Sequence, residues 1–173
     1  MQLLDCEYTR SYMAAQADFR KNFGGGIFPN FGLVSRVKLP LTGGCVCGEV
    51  CYECNSKPLM MVKCHCRDCQ RVSGGPYTPA VIVPLKHFKT TKGMLQHYAT
   101  PSIAGGHNLR GFCAKCGSRL TGGESPERGI IGITASSLDD SSWFKPTMDI
   151  FVSDAQAWDL MDPELPKHHQ YMP

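Results

Sequence analysis

Three thiols fall within six positions in Cys64-His65-Cys66-Arg67-Asp68-Cys69, and the stretch runs on through Gln70-Arg71-Val72-Ser73 to Gly74-Gly75. A C-x-C-x-x-C arrangement this dense leaves no room for a hydrophobic core and suits a soft metal ion held by thiolates. Two further pairs lie on either side, Cys45-Val46-Cys47 and Cys113-Ala114-Lys115-Cys116. The pairs together complete a four-thiolate set, and the central cluster makes a three-thiolate set. Four sulfurs close a structural zinc site, whereas three leave a coordination position for water or substrate. The inequality points to an enzyme with two zinc ions: Cys45, Cys47, Cys113 and Cys116 structural, Cys64, Cys66 and Cys69 catalytic. At the open position a zinc ion would lower the pKa of an incoming thiol, so that the nucleophilic thiolate exists at neutral pH.

The residues around these thiols support the division. Glycines flank Cys45-Val46-Cys47, and Gly117 follows Cys116, placing flexible backbone where two sulfurs must converge. Polar side chains are woven through the central cluster. Arg67 and Arg71 are candidates to hold a carboxylate of the thiol substrate, because the guanidinium fork matches a carboxylate. His65 sits between two ligands and is expected to point away from the ion they share. Cys51 and Cys54 also have C-x-x-C spacing, but they lie in an alternating strand pattern, where residues three apart face opposite ways. They are left out of both sites, as is Cys6. Ser136-Ser137-Leu138-Asp139-Asp140 reads as a turn or cap.

The elements that position these groups are mostly strands. From Val37 onward short β-like stretches alternate with Gly- and Pro-bearing turns, at 37–41, 48–54, 58–63, 77–83, 94–99, 107–112, 129–134 and 147–152. The spacing predicts a mainly β, mostly antiparallel domain over residues 37–173. Helical signals are confined to a turn after Cys69, to 154–160 and to the N-terminus. There Leu4, Tyr8, Tyr12, Ala15, Phe19 and Phe23 form one stripe, followed by Gly24-Gly25-Gly26. Residues 1–36 therefore read as a helical extension, packed on its own domain or used for oligomerisation.

The 173 residues suit one folded domain, and 42% hydrophobic with 19% charged residues describes a globular chain. The formal charge is +3 without a dense basic run, so no nucleic-acid partner is expected. The longest apolar runs are too short to cross a bilayer, and no membrane association is expected. Asp5 and Glu7 break any leader pattern, and clustered thiols fit a reducing compartment, so the expected location is the cytoplasm.

Taken together, Gly43-Gly44-Cys45-Val46-Cys47-Gly48, the central cluster with Ser73-Gly74, Gly111-Phe112-Cys113-Ala114-Lys115-Cys116-Gly117-Ser118 and Ser137-Leu138-Asp139-Asp140 resemble the glutathione-dependent formaldehyde-activating enzyme family. That family includes the centromere protein V-like proteins. The resemblance runs from about Leu41 to about Trp158. It implies a β-tent of antiparallel sheets clamped by zinc, with the seven named cysteines as ligands of two ions. It further implies glutathione and formaldehyde as substrates, joined into S-(hydroxymethyl)glutathione, formally carbon–sulfur lyase chemistry in reverse. The chain departs from the pattern in residues 1–36 and in Cys51 and Cys54. Two other readings of the thiols stand beside this one: a non-catalytic, zinc-stabilised interaction module, and a redox or metal-handling protein.

Overall fold

Strand periodicity sorts the side chains of this domain into two faces, and the structure uses both. The computed structural model describes residues 37–102 and 106–171; the expected N-terminal helix lies outside the described residues. In chain order the strands are β1 (Leu41–Gly44), β2 (Cys51–Cys54), β3 (Met60–Cys64), β4 (Thr78–Pro84), β5 (Phe88–Lys92), β6 (Gln96–Pro101), β7 (His107–Phe112), β8 (Thr121–Ser125), β9 (Ile130–Thr134), β10 (Met148–Ile150) and β11 (Lys167–His168). One helix, α1 (Arg67–Ser73), follows β3.

Two sheets result. The smaller has the order β1-β2-β5, and the larger runs β11-β10-β3-β4-β9-β8-β7-β6. Most neighbours are antiparallel, as the short turns require, but β10 pairs in parallel with both β3 and β11. The long excursion between β9 and β10 lets the chain return in the same direction. The mainly β expectation holds. Strands β5, β8 and β11 escaped the sequence reading, because their patterns are short or interrupted by Gly-Gly. The first strand also begins at Leu41, where the expected one ended, and residues 152–154 make only a 3-10 turn where a longer helix at 154–160 was expected.

In the large sheet, Val81, Val83, Ile131 and Ile133 are buried on one face. They pack with Leu41, Val50, Tyr52 and Leu120 into the core between the sheets. The Tyr52 hydroxyl meets Ser137 Oγ at 2.7 Å inside this core, and Ser137 Oγ donates to the Thr134 carbonyl at 2.8 Å. A buried hydroxyl pair is tolerable because each oxygen has a partner. On the opposite face the register aligns Val62 with Ala80 and Ala80 with Thr134. Ile82 aligns with Gly132, and Cys64 with Thr78. This second face forms the wall of a cavity rather than more core.

The two faces should respond differently to truncation. Ile133→Ala, at a fully buried position, is expected to cost about 2–5 kcal/mol in urea denaturation. Ile82→Ala, half-buried on the cavity face, should cost less than half as much. Equal losses would refute the assignment of faces.

Candidate metal and thiol site

Cys45 and Cys47 lie just beyond β1, and Cys113 and Cys116 lie in the turn between β7 and β8. The turns are built alike: Gly48 N–H donates to the Cys45 carbonyl at 2.9 Å, and Gly117 N–H to the Cys113 carbonyl at 2.8 Å. Both glycines have positive φ, 69° and 74°, a conformation that a side chain disfavours. The two turns face each other, and all four sulfurs lie within 4.8 Å of one another. Cys45 and Cys47 Sγ are 3.5 Å apart, and Cys47 and Cys113 Sγ 3.8 Å. A tetrahedral zinc site with its usual zinc–sulfur bonds separates its sulfurs by about 3.8 Å. The donor set and its spacing therefore fit such an ion. Burial pushes the Cys47 thiol up to about 12. Burial also acts to raise Cys116, but hydrogen bonding with Ser118 outweighs it and brings that thiol down to about 6.

The second set comes from one turn of chain. Cys64 ends β3, and Cys66 caps α1, its sulfur accepting from the Cys69 N–H at 3.4 Å. One helical turn then returns Cys69 beside Cys66. The three sulfurs again lie within 4.8 Å of one another. Hydrogen bonds from Cys64 and Cys66 pull the Cys69 thiol down to about 2 against its burial, with help from the Arg119 guanidinium. Hydrogen bonds with Cys66 and Cys69, together with burial, drive the Cys64 thiol upward. No fourth Cys, His or carboxylate joins them among the described residues. Cys51 and Cys54 are buried and belong to neither group, in keeping with the sequence reading.

The three thiols line a cavity of about 630 Å³, within the range of small-molecule sites at roughly 300–1,000 Å³. Met60, Val62, Ala80, Ile82 and Ile130 supply its apolar lining. Polar groups line it too, among them His107, Asn108, Glu127 and Arg128. Phe151 also lines it, holding a positive φ of 59° and meeting the Tyr171 ring edge-on at 4.7 Å.

Neither Arg67 nor Arg71 lines this cavity. Both are exposed, and Arg67 Nη1 donates to Gln70 Oε1 on the helix. The guanidinium at the thiols is Arg119, which the sequence reading missed. Its position directly after Cys116-Gly117-Ser118 was visible, but nothing local says that the chain leaving one cysteine set reaches the other.

His65 points away from the thiols, as its place between two ligands required. It is fully buried, with Nε2 2.9 Å from Asp149 Oδ1 and Nδ1 2.6 Å from Asp159 Oδ2. Lys63 Nζ also reaches Asp149 Oδ1, at 3.1 Å. Gln70 Nε2 donates to the His65 and Asp154 carbonyls, tying α1 to the same network. The ring thus bolts the thiol loop to the C-terminal segment. Removing it leaves the buried Asp159 carboxylate without its ring partner and Asp149 with Lys63 alone, so His65→Ala should destabilise the protein by roughly 3–5 kcal/mol in urea denaturation. A loss below about 1 kcal/mol, the level of an exposed pair, would contradict the buried network.

Among the described residues, no helix is long and apolar enough to cross a membrane. No curated protein matches the chain. Among solved structures, it is similar to a Rhodobacter sphaeroides protein that was a structural genomics target. That likeness has 21% identity and a TM-score of 0.46, and covers 57% of this chain and 87% of the other. The sequence profile of the glutathione-dependent formaldehyde-activating enzymes matches residues 40–154, a span that takes in all seven clustered thiols and the segment carrying Arg119. On that match the chain belongs to the glutathione-dependent formaldehyde-activating enzyme family.

Proposed function

We propose that the protein is a zinc enzyme that joins a small thiol to formaldehyde, with glutathione as the thiol and S-(hydroxymethyl)glutathione as the product. The observation that carries the proposal is the inequality of the two sets: one has four sulfurs, and the other has three that line a cavity. Cys45, Cys47, Cys113 and Cys116 would hold a structural ion, and Cys64, Cys66 and Cys69 a second one. At the three-thiolate set a zinc ion would supply Lewis acidity, favouring the thiolate form of a fourth sulfur ligand.

The chain's own residues shape the rest. Val62, Ala80 and Ile82 give the cavity an apolar wall, and the lower local dielectric beside such a wall strengthens charge interactions. The polar lining groups, with Asn108 and Arg128 among them, suit the amide and carboxylate groups of a peptide-sized thiol. In the forward direction a sulfur lone pair forms the C–S bond, the carbonyl π pair moves to oxygen, and that oxygen takes a proton from water. In reverse the C–S bond breaks and the aldehyde departs, which is the carbon–sulfur lyase sense of the reaction. Small-molecule thiol and aldehyde are thus the partners, and a cytoplasmic location fits both reduced thiols and glutathione.

Exchange NMR of glutathione with formaldehyde tests the proposal, comparing zinc-loaded protein, no protein and Cys66→Ala. Acceleration above the unaided reaction, lost in Cys66→Ala, is the expected result. Elemental analysis should give about two zinc ions per chain, with Cys45→Ser losing one of them and melting at lower temperature. An unaccelerated rate with both ions bound would overturn the reaction. A Cys45→Ser protein with unchanged zinc content and melting would overturn the structural site.

A further inference from the structure

We infer that Arg119 is a positioning residue that makes the thiol cavity select an anionic ligand beside Cys69. The inference rests on the reading of the three-thiol set as a metal centre with a place for a fourth ligand. Arg119 leaves the turn that completes the four-thiol set, and an isolated bridge between Phe112 and Arg119 fixes its backbone. From there its guanidinium reaches the other set. Nη1 donates to Thr78 Oγ1 at 3.3 Å, and Thr78 Oγ1 donates to the Cys69 carbonyl at 3.1 Å. A side chain at Gly122 would collide with Nη2, so the absence of one opens the slot that the head group fills.

What sets Arg119 apart is its counter-charge. Its buried neighbour Arg110 has a carboxylate, Asp68, at 3.3 Å. Arg119 has no such ion pair among the described residues, and its Nε, like that of Arg110, is buried without a hydrogen-bond partner. The opposite charge that acts on it most is that of Cys69, which also hydrogen-bonds with it, while the like charge of Arg110 opposes. A largely buried guanidinium without a carboxylate is costly unless another anion compensates it.

The electrostatics then discriminate between ligands. Three thiolates around a dication carry one formal negative charge in excess. A fourth thiolate doubles that excess, whereas a neutral ligand leaves it unchanged. A sulfur completing the tetrahedron would lie about 3.8 Å from Cys69 Sγ, and Arg119 lines the same cavity as the three thiols. A fixed positive charge there offsets the added negative charge and does nothing for a neutral ligand. At an effective dielectric constant near 20, removing a charge that stands about 7 Å from the ligand corresponds to roughly a 50-fold loss of anion affinity.

The test uses cobalt(II)-substituted protein, whose visible absorption reports ligand exchange without turnover. Wild type, Arg119→Gln and Arg119→Lys are titrated at one pH with 2-mercaptoethanol, which binds as thiolate, and with imidazole, which binds neutral. Arg119→Gln should raise the Kd for the thiol about 10- to 50-fold and shift that for imidazole by less than about twofold. Arg119→Lys should recover most of the thiol affinity, since it keeps the charge though not the fork. Equal weakening of both ligands, or no change in either, overturns the inference; so does a wild-type protein that binds no thiol. Should Arg119→Gln fail to hold cobalt, the thiol-to-imidazole affinity ratio in Arg119→Met decides by the same criterion. If thiol binding depends on Arg119 but adduct formation is not accelerated, the reaction fails and the inference stands. If adduct formation is accelerated but thiol affinity ignores Arg119, the reaction stands and the inference fails.

Discussion

Sulfurs held within van der Waals reach of one another constrain this domain more than any other contact. Thiols packed at 3.5–3.8 Å cannot all ionise without mutual repulsion, and burial makes each thiolate costlier still. A divalent cation would resolve the conflict, and the donor sets fit one. The architecture follows from where the four-sulfur set lies. Cys45 and Cys47 extend from the small sheet, and Cys113 and Cys116 turn between two strands of the large one. The set therefore staples one sheet to the other at the edge of the core they share.

The large sheet carries the second consequence. Because strand residues alternate between faces, building the core with Val81, Val83, Ile131 and Ile133 commits their neighbours to the other side. Thr78, Ala80, Ile82, Gly132 and Thr134 form a smooth, half-apolar wall, and Cys64 enters the same face from β3. The cavity is what remains when one face of the sheet has been spent on the core. Short and missing side chains at Ala80 and Gly132 keep it open.

Local chemistry was legible in the sequence, and long-range pairing was not. The cysteine sets could be sorted by spacing because C-x-C and C-x-x-C turns bring sulfurs together within a few residues. Cys51 and Cys54 could be set aside by the same logic. Strands with an alternating run, such as 77–83 and 129–134, were recognisable, while β8, with Gly122-Gly123 inside it, was not. Arg67 and Arg71 attracted attention because they adjoin the thiols in sequence, yet the helix turns both to solvent. Arg119, fifty residues on from Cys69 in the chain, faces the thiols through strand pairing. His65 could be placed away from the metal, but Asp149 and Asp159 carry no sign in the sequence that they would meet it.

The parallel entry of β10 beside β3 has a consequence for the order of assembly. Helix α1 and its three cysteines form from a dozen consecutive residues, but His65 reaches its carboxylates only across 84 and 94 positions of chain. Contacts of that separation form late, after the loop between them has closed. On a chain emerging N-terminus first, the thiol loop is complete in sequence long before Asp149 and Asp159 have been made. In that interval His65 lacks the two carboxylates that later fix the loop to the C-terminal segment. A nascent chain of this protein therefore passes through a stage at which its most reactive loop is also its least protected, and a metal captured then would shield the cysteines from oxidation before the fold can.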